Sequence, residues 1–329
     1  MKTWIEHDHV IAIAGLAKNT GKTTTLNALM HQFEDVDLGI TSIGLDGEAL
    51  DTITQLPKPD ITLKKGTIFA TARACLNAAS GEAEIIHDTK FPSALGNIVI
   101  CRVKTPGSFL IAGPTTNKAL NAVIETMRPM TEKIFIDGAL DRKTFSALQT
   151  VDACILSTGA SVGDTIEQVA MHTARIVHLL ALPKALSKPI NAPMAITYDG
   201  EIIPIKKKDP SLLKPYLGYL KKGAVFHVKG AFTERFIDFM IRHHLKGMHL
   251  IVDNPTMFIL TPQALENFAK LSINASVHRP MHCRLITINP IRPHASAFNK
   301  GAFETALKRM VSIPVLNVKD EESAYATSH

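Results

Sequence analysis

The residues best suited to chemistry lie near the start of the chain: Gly15-Leu16-Ala17-Lys18-Asn19-Thr20-Gly21-Lys22-Thr23-Thr24. An apolar run, Val10 to Ala14, leads into them, and a stretch with Leu26, Leu29 and Met30 on one helical face leads away. This order of strand, small polar loop and helix start is what a phosphate group needs. A bare glycine backbone approaches an anion closely, and consecutive N–H groups converge on its oxygens. The start of a helix adds the positive end of its dipole. Lys22 is placed to neutralise β- and γ-phosphate oxygens, and Thr23 to offer its hydroxyl to Mg²⁺. Gly15, Lys18, Asn19, Thr20, Gly21, Lys22, Thr23 and Thr24 are therefore the expected nucleotide-binding residues. The spacing departs from G-x-x-x-x-G-K-[ST] in one respect: the first glycine is Gly15, and position 16 holds Leu16.

A metal beside bound phosphates needs acids at the ends of neighbouring strands. Two fit. Leu38 to Leu45 reads as a second strand and runs into Asp46-Gly47-Glu48, and Ile134-Phe135-Ile136 runs into Asp137-Gly138. Parallel sheets bind ligands at the carboxyl ends of their strands. Thr23, Asp46 and Asp137 are thus the expected Mg²⁺ side of the site, and Lys22, Asp46 and Asp137 its expected catalytic residues. Asp141 and Arg142 follow and can act on a substrate. Lys65 and Thr67, in Lys64-Lys65-Gly66-Thr67, are weaker candidates, for which a plain strand turn serves as well. No Asn/Thr-Lys-x-Asp guanine motif occurs in the chain, which leans the nucleotide toward ATP.

Two histidine-bearing runs carry residue types that can ligate a metal. Glu6-His7-Asp8-His9 reads better as a solvated lead-in to the first strand. His278-Arg279-Pro280-Met281-His282-Cys283 lacks a second matching pair.

With 329 residues, 46% hydrophobic and 20% charged, the chain is long enough for about two globular domains. The net charge of +6 suits phosphate-bearing ligands or an acidic partner. The lysine clusters are too short to argue for nucleic acid, and one Trp and four Tyr leave few stacking platforms. Four scattered cysteines without C-x-x-C fit free thiols in a reduced compartment. With no apolar run of about 18 residues and no apolar signal core, the reading is cytoplasmic, with no membrane association.

The elements that must position these residues alternate between strand and helix. The expected fold is α/β: a mostly parallel sheet with an inserted hairpin, followed by a smaller α/β domain. The hairpin is expected from Ile98–Val103 and Ser108–Ala112 flanking Lys104-Thr105-Pro106-Gly107. Gly113-Pro114-Thr115-Thr116-Asn117 is either a bend at the ligand edge or a helix cap. Residues 182–193 are proline-rich and read as a linker, so the domains are placed at 1–188 and 189–329.

Taken together, the motifs at Gly15–Thr24, Ile43–Glu48 and Ile136–Arg142 resemble the signal-recognition, Min-type and dethiobiotin-synthetase-like branch of P-loop NTPases. More narrowly, they are similar to accessory proteins encoded beside cobalamin-dependent lysine and ornithine aminomutases. Those act as reactivases for mutase carrying damaged cofactor. The resemblance implies a P-loop ATPase whose Mg-ATP binding or hydrolysis acts on a partner enzyme, an aminomutase in the narrower case. The alternative is a small-molecule kinase or ATP-dependent ligase similar to dethiobiotin synthetase, with a small acidic substrate bound by Lys18, Lys65 or Arg142. A homo-oligomer is compatible with either.

Overall fold

The computed structural model describes residues 1–43, 61–139, 151–292 and 296–320. Strand β1, Val10–Gly15, is buried along its whole length, as its unbroken apolar run requires. It hydrogen-bonds in parallel with β8, Lys133–Ala139, on one side and with β9, Ala153–Gly159, on the other. β2, Leu38–Ser42, pairs in parallel with β8 and with β4, Ile68–Ala72. Beyond β9 come β17, Cys283–Asn289, and β18, Val315–Leu316, also parallel. β6, Gly96–Thr105, and β5, Glu82–Ser93, close the other edge in antiparallel fashion. The nine-stranded order is β18-β17-β9-β1-β8-β2-β4-β6-β5.

Side-chain alternation divides the interior between the two faces of this sheet. Ile11, Ile13 and Phe135 pack with Leu26, Leu29 and Phe33 of helix α1, Lys22–Gln32, or at its end. Val10, Ile134 and Ile136 pack with Leu120, Val123, Ile124 and Met127 of α2, Asn117–Met127. Thr116 caps α2 by accepting a hydrogen bond from the Ala119 amide at 3.3 Å. Each of these large side chains contributes about 1.5–3 kcal/mol by leaving water. All four cysteines are free thiols, and burial pushes Cys101 up to about 12.

Three expectations about chain organisation need correction. The antiparallel edge exists, but its hairpin is β5–β6. Gly107 opens the short strand β7, Gly107–Phe109, which pairs with β3, Ile61–Leu63, and not with β6. A Cβ at Gly107 would strike the Gly81 backbone, so Pro106-Gly107 marks a crossing of two chains, not a hairpin turn. β5 escaped notice because its polar residues lie on an exposed edge without apolar alternation.

The second correction concerns the domain division. The first compact unit comprises Met1–Ala170 together with Cys283–His329, and the second comprises Met171–His282. β17 and β18 therefore belong to the first sheet, not to a domain running from 189 to the C-terminal side. Leu285 to Ile288 is buried on both faces and apolar but for Thr287, the pattern of an interior strand that needs a neighbour on each side.

The third correction concerns the lead-in. Asp8 is buried, and its carboxylate takes two hydrogen bonds from Arg284, at 2.9 and 3.0 Å. The Asp152 carboxylate accepts the His9 and Val10 amides, and Lys133 donates to the carbonyls of Ile5, Glu6 and Asp8.

The second unit contains a five-stranded sheet of order β11-β10-β12-β14-β16. β10, Met194–Tyr198, and β11, Glu201–Ile205, form the hairpin expected at Asp199-Gly200. β12, Val225–Val228, β14, His249–Val252, and β16, Asn274–Val277, run parallel to one another. The core includes Phe226, Phe232, Phe236, Phe258 and Phe268, with helices Glu234–Arg242 and Pro262–Lys270 supplying Phe236 and Phe268. Helix α3, Ile166–Leu180, starts in the first unit and ends in the second. Among the described residues, no helix is long and apolar enough to cross a membrane.

Candidate functional site

The loop Leu16–Gly21 joins the carboxyl end of β1 to α1. Gly15 is demanded by close approach: a Cβ there would lie 2.6 Å from Lys22 Cδ and 2.7 Å from Lys22 Cγ. The Lys22 stem therefore crosses directly over Gly15. This explains the early glycine, because the lysine needs bare backbone at position 15 and Leu16 lies beyond the crossing. Asn19 and Gly21 adopt left-handed backbone, at φ 63° and 89°, while Thr20 between them does not. Such alternation of hand gathers successive amides into an anion nest.

The loop carbonyls are engaged by side chains within the loop and beyond it. Thr20 Oγ1 donates to the Ala17 carbonyl at 3.0 Å. Ser161 Oγ donates to the Lys18 carbonyl, and Asn289 Nδ2 to the Asn19 carbonyl, each at 2.8 Å. In a trans peptide the carbonyl of one residue and the amide of the next point opposite ways. The carbonyls of Lys18 and Asn19, held by Ser161 and Asn289, thus turn the amides of Asn19 and Thr20 the other way. The amides of Asn19, Thr20 and Gly21 take part in none of the hydrogen bonds described. Gly21 caps α1 without a side-chain bond, so the first turn of that helix also keeps its donors.

Asp137 sits two residues beyond Phe135, so strand alternation places it on the face covered by α1. It is in register with Ile13 of β1 and Ser42 of β2. Its Oδ1 is buried with no hydrogen-bond partner. Buried polar atoms are seldom left so. An orphaned acidic oxygen beside an amide nest and a helix start fits a metal–phosphate group, with Thr23 and Asp137 as the protein side. Asp46, Asp141 and Arg142 lie outside the described residues.

The loop after β17, Asn289 to Arg292, which the sequence leaves open as either a proline-stiffened connection or the lining of a site, joins the end of β9 in a wall beside the loop. Thr25 Oγ1, Ser157 Oγ and Thr287 Oγ1 share hydrogen bonds of 2.8–3.4 Å beneath the first turn of α1. The Leu16 amide donates to the Ser157 carbonyl at 3.0 Å. Arg292 donates to the carbonyls of Ala160 and Gly163 and lies over the Phe298 ring. The available signal was the polar residue ending each apolar strand: Ser157 to Gly159 and Asn289 follow the same pattern as Asp137.

Other candidates lie elsewhere. Lys64–Thr67 precedes β4, which is parallel to β2, so it belongs to the amino edge, opposite the loop. Gly66 turns there at φ 90°, and Lys64 pairs with Glu34. Gly113 rests on Ser42, whose Oγ accepts its amide at 2.9 Å, so this bend is at the carboxyl edge as well as leading to the Thr116 cap. No group of three His, Cys, Asp or Glu side chains able to hold a metal occurs among the described residues, the two histidine-bearing runs included. No family model, no curated protein and no solved structure matches the chain.

Proposed function

We propose that the first unit is a P-loop NTPase-like site that binds Mg-ATP, and that its binding or hydrolysis acts on a partner enzyme. The observation that carries this is the buried, unpartnered Asp137 Oδ1 at a strand end next to a loop with unengaged amides. Lys22 and the amides of Asn19 to Lys22 hold the phosphates, and Thr23 and Asp137 hold the metal, joined by Asp46. Bound Mg²⁺ would neutralise charge on the β- and γ-phosphates. The lack of a guanine motif favours ATP over GTP.

An action on a partner, in preference to a small substrate, is supported by the chain path. The second unit is inserted between β9 and β17, and residues following both strands hold the loop, through Ser161 and Asn289. A cobalamin-dependent aminomutase as that partner rests on the motif resemblance alone, and the cytoplasmic setting on composition. ATP hydrolysis measured with and without purified lysine or ornithine aminomutase tests this reading. Stimulation by the mutase with no phosphorylated small product is expected. Stoichiometric phosphorylation of a small acid would instead establish the kinase or ligase alternative.

A further inference from the structure

The parallel strands β12, β14 and β16 of the second unit have a carboxyl edge of their own, the place where open α/β sheets bind ligands. Lys229-Gly230 follows β12 there, and Asp253-Asn254 follows β14. The Asp253 carboxylate accepts the Gly230 amide at 2.7 Å and ties the two strand ends together. A depression of about 270 Å³ opens at this edge, lined by Asn191, Ala192, Pro193, Lys208 and Lys229. Two ammonium groups share it. Lys208 Nζ donates to the Lys229 carbonyl at 3.3 Å, and Lys229 Nζ to Asn191 Oδ1 at 3.4 Å. Both partners are neutral oxygens, and among the described residues neither lysine has a carboxylate partner.

We propose that this edge binds a phosphate group, as free phosphate or as the monoester end of a larger molecule, between Lys208 and Lys229. Charge selects the ligand. Two ammonium groups match a phosphate monoester, which carries roughly −1.5 to −2 at neutral pH, better than a single carboxylate. Size agrees, because the depression is smaller than the roughly 300–1,000 Å³ of pockets that enclose whole drug-sized ligands. Backbone geometry keeps the space open. Gly230 has φ 74°, and a Cβ there would come within 3.1 Å of Lys208 Nζ.

The site does not depend on the nucleotide loop, and the test separates them. The full chain carrying Lys22→Ala is titrated with sodium phosphate while the Gly230 amide is followed by NMR. Saturable one-site binding is expected, with a Kd of about 1 mM. Lys208→Ala and Lys229→Ala each weaken it about three- to fivefold, and the double variant abolishes saturation. Both side chains are exposed, so circular dichroism and the unfolding midpoint stay unchanged. Acetate binds at least about fivefold more weakly than phosphate, in line with its single charge. Phenyl phosphate binding more tightly than phosphate would assign the ligand as a monoester, and equal affinity would assign free phosphate. A non-saturating response, an unchanged Kd in the double variant, or acetate binding as well as phosphate would overturn the proposal. ATP binding retained in Lys22→Ala would count against the loop assignment alone.

Discussion

The two edges of the first sheet treat their polar groups in opposite ways. At the amino edge, buried charge is matched: Asp8 by Arg284, Asp152 by two amides, Lys133 by three carbonyls. His9 Nε2 lacks a partner there, but burial lowers the pKa of this ring and favours its neutral form. At the carboxyl edge, loop amides and an acidic oxygen stay unengaged inside the protein. The strands are the same, so apolar burial does not distinguish their ends. What differs is whether polar groups find protein partners, and the end that leaves them unmatched is the one able to receive a ligand.

The comparison breaks first at Lys22. Lys22→Ala should weaken ATP binding about a hundredfold, ~3 kcal/mol, with no change in the unfolding midpoint, as read by calorimetry with and without nucleotide. Asp137→Asn should remove the Mg²⁺ dependence of ATP binding while the apo protein is no less stable, because the group has no partner to lose. A clear drop in apo stability in either variant would make the carboxyl edge structural, like its opposite. Arg284→Ala should do the reverse. It leaves the Asp8 carboxylate, of which 8% is exposed, without its cation. A cost of about 2 kcal/mol in urea unfolding is expected with ATP affinity unaltered.

The most gradual effect, spread over a pH range, tests whether the second unit follows the same rule. Burial, then the nearby His278 and His249, lowers the His227 pKa from 6.5 to about 4. Its Nε2 meets Thr197 Oγ1 at 3.0 Å and its Nδ1 has no partner. The unfolded chain therefore binds a proton that the folded one refuses. The stability is full above pH 6.5 and is lost as pH falls toward 4, at about 1.4 kcal/mol per unit and at most about 3 kcal/mol. His227→Gln should flatten the pH dependence of the urea midpoint over that window. An unchanged slope would show that this ring is not the group responsible.

Much of this contrast was legible in the residues. Val10 to Ala14 and Ile134 to Ile136 admit little but interior strands, and the glycine-lysine-threonine run opens a helix directly after the loop that follows the first of them. The early Gly15 is visible in the sequence, but its reason, the path of the Lys22 side chain, belongs to the fold. Asn289 and Ser161 were beyond reach for a related cause. A side chain that ties down a loop is recognisable only once the fold has brought it there, and Asn289 arrives after the whole second unit. Local pattern also failed where it was absent, in polar β5, and where it misled, at Pro106-Gly107. Asp8 shows the limit for charge: a buried acid and a solvated one look alike until Arg284 is beside it.

The return of β17 to the first sheet bears on how the protein is made. Until Cys283–Asn289 leaves the ribosome, β9 has an unpaired edge, Asp8 has no Arg284, and the loop has no Asn289 to hold it. Domains generally fold as units during synthesis, and the amino-terminal part would ordinarily go first. Here the second unit, Met171–His282, is complete before the first can be. A nascent chain therefore cannot present a finished Leu16–Gly21 loop without the inserted unit already in place. A fragment ending near residue 188 would be left with an open sheet edge prone to aggregation.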